Sequence, residues 1–171
     1  ASFEERGEGG EGNNYWLVET DADGEQLRAQ AYHFGVDDRC NSILQRPQGG
    51  FEMGGTINML NNRLDYKFSM MTSNEDGSLY SWLFMGSDAG CNSIVRHADD
   101  GIILAGWKGT DGQDNGKFML IKLDDEFGID WWGNYGSDVG ASCQSVIQTE
   151  DGGVAMAGYS PSLSTSIDSQ G

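Results

Sequence analysis

Gly35-Val-Asp-Asp-Arg-Cys-Asn-Ser-Ile43 returns as Gly86-Ser-Asp-Ala-Gly-Cys-Asn-Ser-Ile94, and again as Gly136-Ser-Asp-Val-Gly-Ala-Ser-Cys-Gln-Ser-Val146. Cys40 to Cys91 is 51 positions and Cys91 to Cys143 is 52, so the chain reads as a tandem array. Self-similarity at about this period belongs to solenoids, propellers and arrays, whose units bury their apolar faces only against a neighbour.

Working outward from the cysteines, two further marks recur. Asp21-Ala-Asp-Gly24, Asn74-Glu-Asp-Gly77 and Asp124-Asp-Glu-Phe-Gly128 each read as an acidic turn closed by glycine. Phe51-Glu-Met-Gly-Gly55, Ile102-Ile-Leu-Ala-Gly106 and Val154-Ala-Met-Ala-Gly158 end a second run. Between the marks lie short apolar or alternating segments bounded by Gly, Asp and Asn, which predict strands and tight turns. Each unit holds four. Strand a follows the cysteine (42–46, 93–97, 145–149), and strand b leads into the glycine (51–56, 102–107, 154–159). Strand c precedes the acidic turn (15–20, 66–72, 117–123), and strand d follows it (27–34, 79–85, 129–135). No window carries a sustained helical stripe. The 26 glycines weigh further against long helices, each interior glycine costing about 1 kcal/mol relative to alanine. The expectation is an all-β chain of β-propeller-type repeats, because four antiparallel strands in about 40–50 residues suit a propeller blade.

The strand order is out of phase with whole units. It opens on c and d, passes through two complete a-b-c-d sets, and ends on a and b. That predicts three four-stranded blades, the first and last split across the termini. Closed propellers usually hold about four to eight blades, so the arithmetic points to half or part of a larger ring, or to copies joined end to end. The repeats fall at about 15–57, 66–107 and 117–160 of a single domain spanning 1–171, with 1–14 and 160–171 as flexible or interface ends.

The third unit reads Phe118-Met-Leu-Ile-Lys-Leu-Asp, then Gly128-Ile-Asp-Trp-Trp-Gly-Asn-Tyr-Gly-Ser-Asp, then Gln144-Ser-Val-Ile-Gln-Thr-Glu-Asp-Gly-Gly-Val-Ala-Met-Ala-Gly-Tyr-Ser160. It resembles the bacterial-type β-propeller repeat, whose consensus runs near W-L-x-K-L-D, Y-G-G and T-x-D-G-G-Y-x-x-A-G-x-T. The likeness is strong over 117–160, clear over 66–107 and weaker over 15–57, where Gln45-Arg-Pro-Gln-Gly-Gly50 replaces the usual turn. The resemblance implies a propeller of secreted or cell-surface proteins, usually without known catalysis, and brings no set of functional residues. The cysteines and the small blade number depart from the family pattern.

A chain of 171 residues is one domain by length, enough for a real core. A formal net charge of −17 argues against nucleic acid, whose phosphates need Lys and Arg, and against anionic membranes. Acidic balance favours solubility, cationic partners or divalent ions. No apolar run is long enough to span a bilayer, so membrane insertion is not expected. An Ala-Ser start without Met suits a processed secreted protein or an excised fragment, and no Asn-x-Ser/Thr sequon occurs. An extracellular or cell-surface setting is expected, as the resemblance implies.

Three cysteines cannot all pair within one chain, and equivalent positions in successive blades should exceed the roughly 7 Å between Cα atoms that a disulfide tolerates. Cys40, Cys91 and Cys143 are expected as buried free thiols, the sharper reading being an intermolecular bridge. Gly7-Glu-Gly-Gly-Glu-Gly12 matches a phosphate-loop pattern, but no strand precedes it and its two glutamates would repel phosphate. Asp21, Asp23, Asp124, Asp125 and Glu126, with Asp111 and Asp114, could offer oxygens to calcium. Calcium wants about six to eight oxygens and no single turn supplies them, so these read first as hairpin residues and no cofactor is expected. His33 and His97 stand at non-equivalent positions without a repeated partner, which predicts no catalytic constellation.

The resemblance implies that Trp16 in strand c, with Trp82 and Trp132 in strand d, are core aromatics. Trp107, Trp131 and Tyr159 are less constrained and are the candidates for ligand contact, glycans included. Tyr15, Trp16, Val18, Val154, Met156 and Tyr159 are the expected contacts between copies, aromatics being favoured at interfaces. The expected function is a non-enzymatic structural or interaction protein that assembles with itself into a ring or extracellular filament. The alternatives are a carbohydrate-binding surface module, a calcium-stabilised surface protein, and a β-trefoil lectin. The trefoil is disfavoured because no Gln-x-Trp motif is present.

Overall fold

Six turns of one kind shape the chain. The amide of Asp21 donates to Glu25 O at 2.9 Å and the amide of Gly24 to Asp21 O at 3.2 Å. The same pair of bonds closes residues 46–50, 74–78, 97–101, 124–128 and 149–153. This is a hairpin connection whose fourth residue must take positive φ. Gly24, Gly49, Gly77 and Gly152 supply it at 83–88°, whereas Asp100 and Phe127 adopt 67° and 65°. The third acidic turn therefore differs from its sequence reading: Phe127, not Gly128, holds the left-handed position. A left-handed residue with a Cβ costs about 1–2 kcal/mol. Phe127 offsets that cost by laying its ring on the apolar cluster between two sheets.

The computed structural model describes residues 12–60, 66–109, 116–136 and 140–161. They form twelve strands: β1 (Tyr15–Thr20), β2 (Gln26–Tyr32), β3 (Asp37–Gln45), β4 (Phe51–Asn58), β5 (Tyr66–Ser73), β6 (Leu79–Met85), β7 (Ala89–Arg96), β8 (Ile102–Lys108), β9 (Lys117–Leu123), β10 (Ile129–Tyr135), β11 (Ser142–Gln148) and β12 (Val154–Tyr159). The described residues contain no helix, so the fold is all-β. Every pairing is antiparallel and joins strands consecutive in sequence, giving sheets β1-β2, β3-β4-β5-β6, β7-β8-β9-β10 and β11-β12. Among the described strands β12 and β1 lie in separate two-stranded sheets, and the four sheets do not close on themselves.

Strand a extends further than its sequence pattern suggests. It runs through each cysteine, and the register slips one residue between Cys40 and Ser42, Cys91 and Ser93, and Cys143 and Ser145. These are β-bulges, which kink the strand and leave one residue unpaired. Opposite each bulged cysteine stands a glycine: Gly55, Gly106 and Gly158. A Cβ there would sit 2.0, 1.9 and 2.1 Å from the carbonyl oxygens of Arg39, Gly90 and Ser142. The recurring glycine is thus demanded by close backbone approach.

Alternation along the strands sends one set of side chains to the sheet ahead and the other to the sheet behind. Tyr15 and Leu17 pack with Met53, Ile57 and Met71. Phe68 and Met70 pack with Leu104, Met119 and Ile121. Ile103, Ala105 and Leu120 pack with Cys143 and Val146. Each sheet thereby covers one face of the next. Fully burying such a side chain contributes about 1.5–3 kcal/mol, so these faces supply most of the cohesion between sheets.

Two ionic sites sit inside this packing. Glu52 is buried, ion-paired to Arg96 from the following sheet, with Arg46 Nε 4.0 Å away and the Arg46 guanidinium 5.1 Å over the Tyr80 ring. Burial pushes the Glu52 carboxyl up, and the two guanidinium groups hold that rise back. Lys122 Nζ reaches Asp99 at 3.0 Å and Asp130 at 3.2 Å. Burial alone would lower its pKa, but its bonds to the two carboxylates outweigh this and raise it.

Candidate assembly interface

The bulged residue after each cysteine does more than bend its strand. Asn41 donates Nδ2 to Cys91 O in the following sheet at 2.7 Å, and Asn92 donates to Cys143 O at 2.7 Å. Beside these bonds, Ser42 Oγ accepts from the amide of Ile94 at 3.1 Å and Ser93 Oγ accepts from the amide of Val146 at 3.3 Å. Two identical rungs therefore tie β3 to β7 and β7 to β11. At the far end Gln144 stands where Asn41 and Asn92 stand, and its amide turns back to Ser142 Oγ at 3.0 Å. No described residue donates to Ser145 Oγ, and no described side chain reaches Cys40 O as Asn41 reaches Cys91 O.

Exposure follows the same logic. Ile43, Ile94 and Val146 occupy equivalent positions after the bulge. Ile94 and Val146 are each 5% exposed beneath the preceding inner strand, whereas Ile43 has no such cover and is 47% exposed. On the other face, Leu44 and Val95 pack against the following sheet, but their equivalent Ile147 is 57% exposed. Among the described residues the stack therefore leaves apolar side chains exposed on a rear face at β1 and β3, and on a front face at β11.

The expected contact residues divide. Tyr15 is not on the surface: it is 1% exposed, its hydroxyl hydrogen-bonds with Ser69 Oγ at 2.6 Å, and its ring meets Phe34 edge-on. It belongs to the seam between the chain's own first two sheets. Trp16, read as core, is 62% exposed because Tyr15 and Leu17 take the inward positions of β1. Val18 shares its outward face, and their equivalents Met71, Met119 and Ile121 are all buried by a preceding sheet. Val154 and Met156 are half-buried against the last internal cluster, and Tyr159 is exposed. Trp82 and Trp132, also read as core aromatics, are exposed on β6 and β10.

The three ligand candidates do not converge into one platform. Trp107 is half-buried and packs edge-on against Tyr66, with ring centres 6.2 Å apart. Trp107 pairs with Phe118 and Trp131 with Lys122, four residues apart on β9, which is about 13 Å. Tyr159 lies on another sheet. The space between the two four-stranded sheets, lined by Met70, Thr72, Ser81, Trp82, Leu83 and Phe127, has a volume of about 20 Å³. That is room for about one water.

The candidate metal carboxylates serve their turns. Asp21 Oδ1 accepts from the amides of Asp23 and Glu25, and Asp124 Oδ1 from those of Glu126 and Gly128. Asp23, Asp125 and Glu126 point to solvent. Among the described residues no three His, Cys, Asp or Glu side chains gather in a way that could hold a metal. Asp111 and Asp114 lie outside the described residues. His33 Nδ1 pairs with Asn14 at 2.5 Å, while His97 Nδ1 sits 2.8 Å from Asp99, which is also bound by Lys122.

The three thiols are free. Each Sγ donates to the carbonyl two residues on, Ser42, Ser93 and Ser145, at 3.7, 3.6 and 3.3 Å. Burial pushes all three up, Cys40 to about 11 and Cys91 further still. No protein-family model matches the chain, and no curated protein matches it in sequence.

Proposed function

We propose that this chain is a non-enzymatic structural or interaction protein, whose sheets act as propeller blades and whose end sheets are completed by further copies, forming a ring or filament. One observation carries the reading. Among the described residues the stack ends in two complementary half-sheets, an inner pair β11-β12 and an outer pair β1-β2, each without a further described strand beside it and with apolar side chains exposed on one face. Unpaired edges invite strand addition, and exposed apolar area of this kind marks contact surfaces. The resemblance to bacterial-type propeller repeats supports an extracellular or cell-surface setting.

Sedimentation velocity at micromolar concentration tests it. A species heavier than the 18.6 kDa chain is expected, growing with ionic strength because salt screens repulsion between copies of net charge −17. A stable monomer at all salt concentrations would overturn the reading.

A further inference from the structure

Resting on that assembly reading, we propose that two copies of the chain close one ring of six blades, with β12 of each pairing antiparallel to β1 of the other in the register already used inside the chain. The register follows from equivalence. β12 stands to β11 as β8 stands to β7, with Gly158 opposite Cys143 as Gly106 is opposite Cys91. β1 stands to its turn as β5 and β9 stand to theirs, since the same two turn bonds begin at Asp21, Asn74 and Asp124. Within the chain Glu52 pairs with Thr72 and Ile103 with Lys122. The same step places Ala155 opposite Glu19 of the second copy. One residue further along, Met53–Met71 and Leu104–Ile121 become Met156 opposite Val18.

A second observation, independent of the open edges, points to the same occupant. A copy docked in this register lays its β11 in front of β3. Ser145 Oγ then meets the Ile43 amide as Ser42 meets Ile94 and Ser93 meets Val146. That covers Ile43, whose two equivalents are buried by this contact. The surface asks for a strand pair bulged and spaced like β11-β12, which a second copy of this chain supplies. The number of copies follows from closure. One copy provides two whole blades and two halves. A single copy falls below the range of about four to eight blades and three copies exceed it, whereas two give six.

The test is a pair of cysteines at facing positions of the junction, Ala155→Cys with Glu19→Cys, oxidised mildly during assembly. The expected product is a covalent dimer on a non-reducing gel, with neither single variant cross-linking under the same conditions. Ile43→Asp, on a surface residue whose change leaves the separate chain folded, is expected to weaken pairing more than about tenfold by burying an unpaired charge. A covalent ladder of higher multiples overturns the closed pair. Assembly in sedimentation without any specific cross-link, or Ile43→Asp pairing as tightly as the parent, overturns the register while leaving the wider assembly reading standing. A chain that remains monomeric overturns both.

Discussion

The amide of Asn41 crosses from one sheet to the next and donates to the main-chain oxygen of Cys91 at 2.7 Å. Asn92 repeats the bond to Cys143 at the same distance. Both acceptors belong to fully buried residues, so neither carbonyl has water to fall back on. A bulge that leaves one residue without a ladder partner here turns that residue into the link between sheets.

Asn92→Ala removes the link and strands the Cys143 carbonyl. Leaving a buried acceptor unpaired costs about 1–3 kcal/mol, and that loss is expected in urea unfolding monitored by tryptophan fluorescence. Gln144→Ala, whose amide only turns back within its own strand, is expected to leave the same midpoint unchanged.

The turn at 97–101 offers the opposite sign. Asp100 holds φ 67° where four of the other five turns use glycine. Asp100→Gly is expected to raise the unfolding free energy by about 1 kcal/mol, since it relieves a left-handed side chain. The main-chain oxygen that receives Arg96 Nη1 is kept. Gly106→Ala drives a Cβ to 1.9 Å from Gly90 O, and a loss of about 3 kcal/mol is expected as the bulge is forced open. Thermal melts of the two variants should move in opposite directions.

Asp99 gives a pH signature. Hydrogen bonds from Lys122 and then His97 hold its carboxyl well below the usual carboxylate range. A depressed folded pKa stabilises at pH values above the unfolded one, near 4, and the benefit is lost as pH falls through the folded value. Stability of the parent is therefore expected to drop between pH 5 and acid conditions more steeply than that of Asp99→Asn, in denaturant titrations across that window. Parallel curves for the two would remove Asp99 from the account.

Thiol reactivity should report the cysteine environments. With Cys40 pushed to about 11, about one thiol in a thousand is ionised at pH 8. Cys40 is only half-buried, short of the full burial expected of it, whereas Cys91 and Cys143 are wholly buried. A thiol-specific dye at pH 8 is expected to label the folded protein slowly and all three sites at once in urea. Rapid labelling of one site in the folded chain would show that Cys40 is open to solvent.

Much of the fold was legible because it is written in backbone-critical residues. The spaced cysteines mark bulges, and the spaced glycines mark the carbonyls that crowd them, so both survive as sequence landmarks. Side-chain direction was harder. Tyr15-Trp-Leu-Val18 is apolar at every position, and only the neighbouring sheet decides that Tyr15 and Leu17 face inward while Trp16 and Val18 face out. Phe127 went unread for a similar reason: glycine next door is the commoner left-handed residue, and what favours Phe127 is a cluster that its own sheet shares with the preceding one. Glu52 and Lys122 were silent too, since a lone charge in a strand does not announce partners such as Arg96 or Asp99 in distant segments. The rungs of Asn and Ser were visible as repeated letters, but their donors and acceptors needed the sheets in place.

Strands that pair only with their chain neighbours have a kinetic consequence. Each hairpin can form before any distant segment arrives, so the entropic toll of closing long loops is never levied at the start of folding. Growth can begin at any hairpin and spread in either direction. Such a chain should reach its native state faster than sandwiches of similar size, whose sheets must recruit strands from far along the polypeptide.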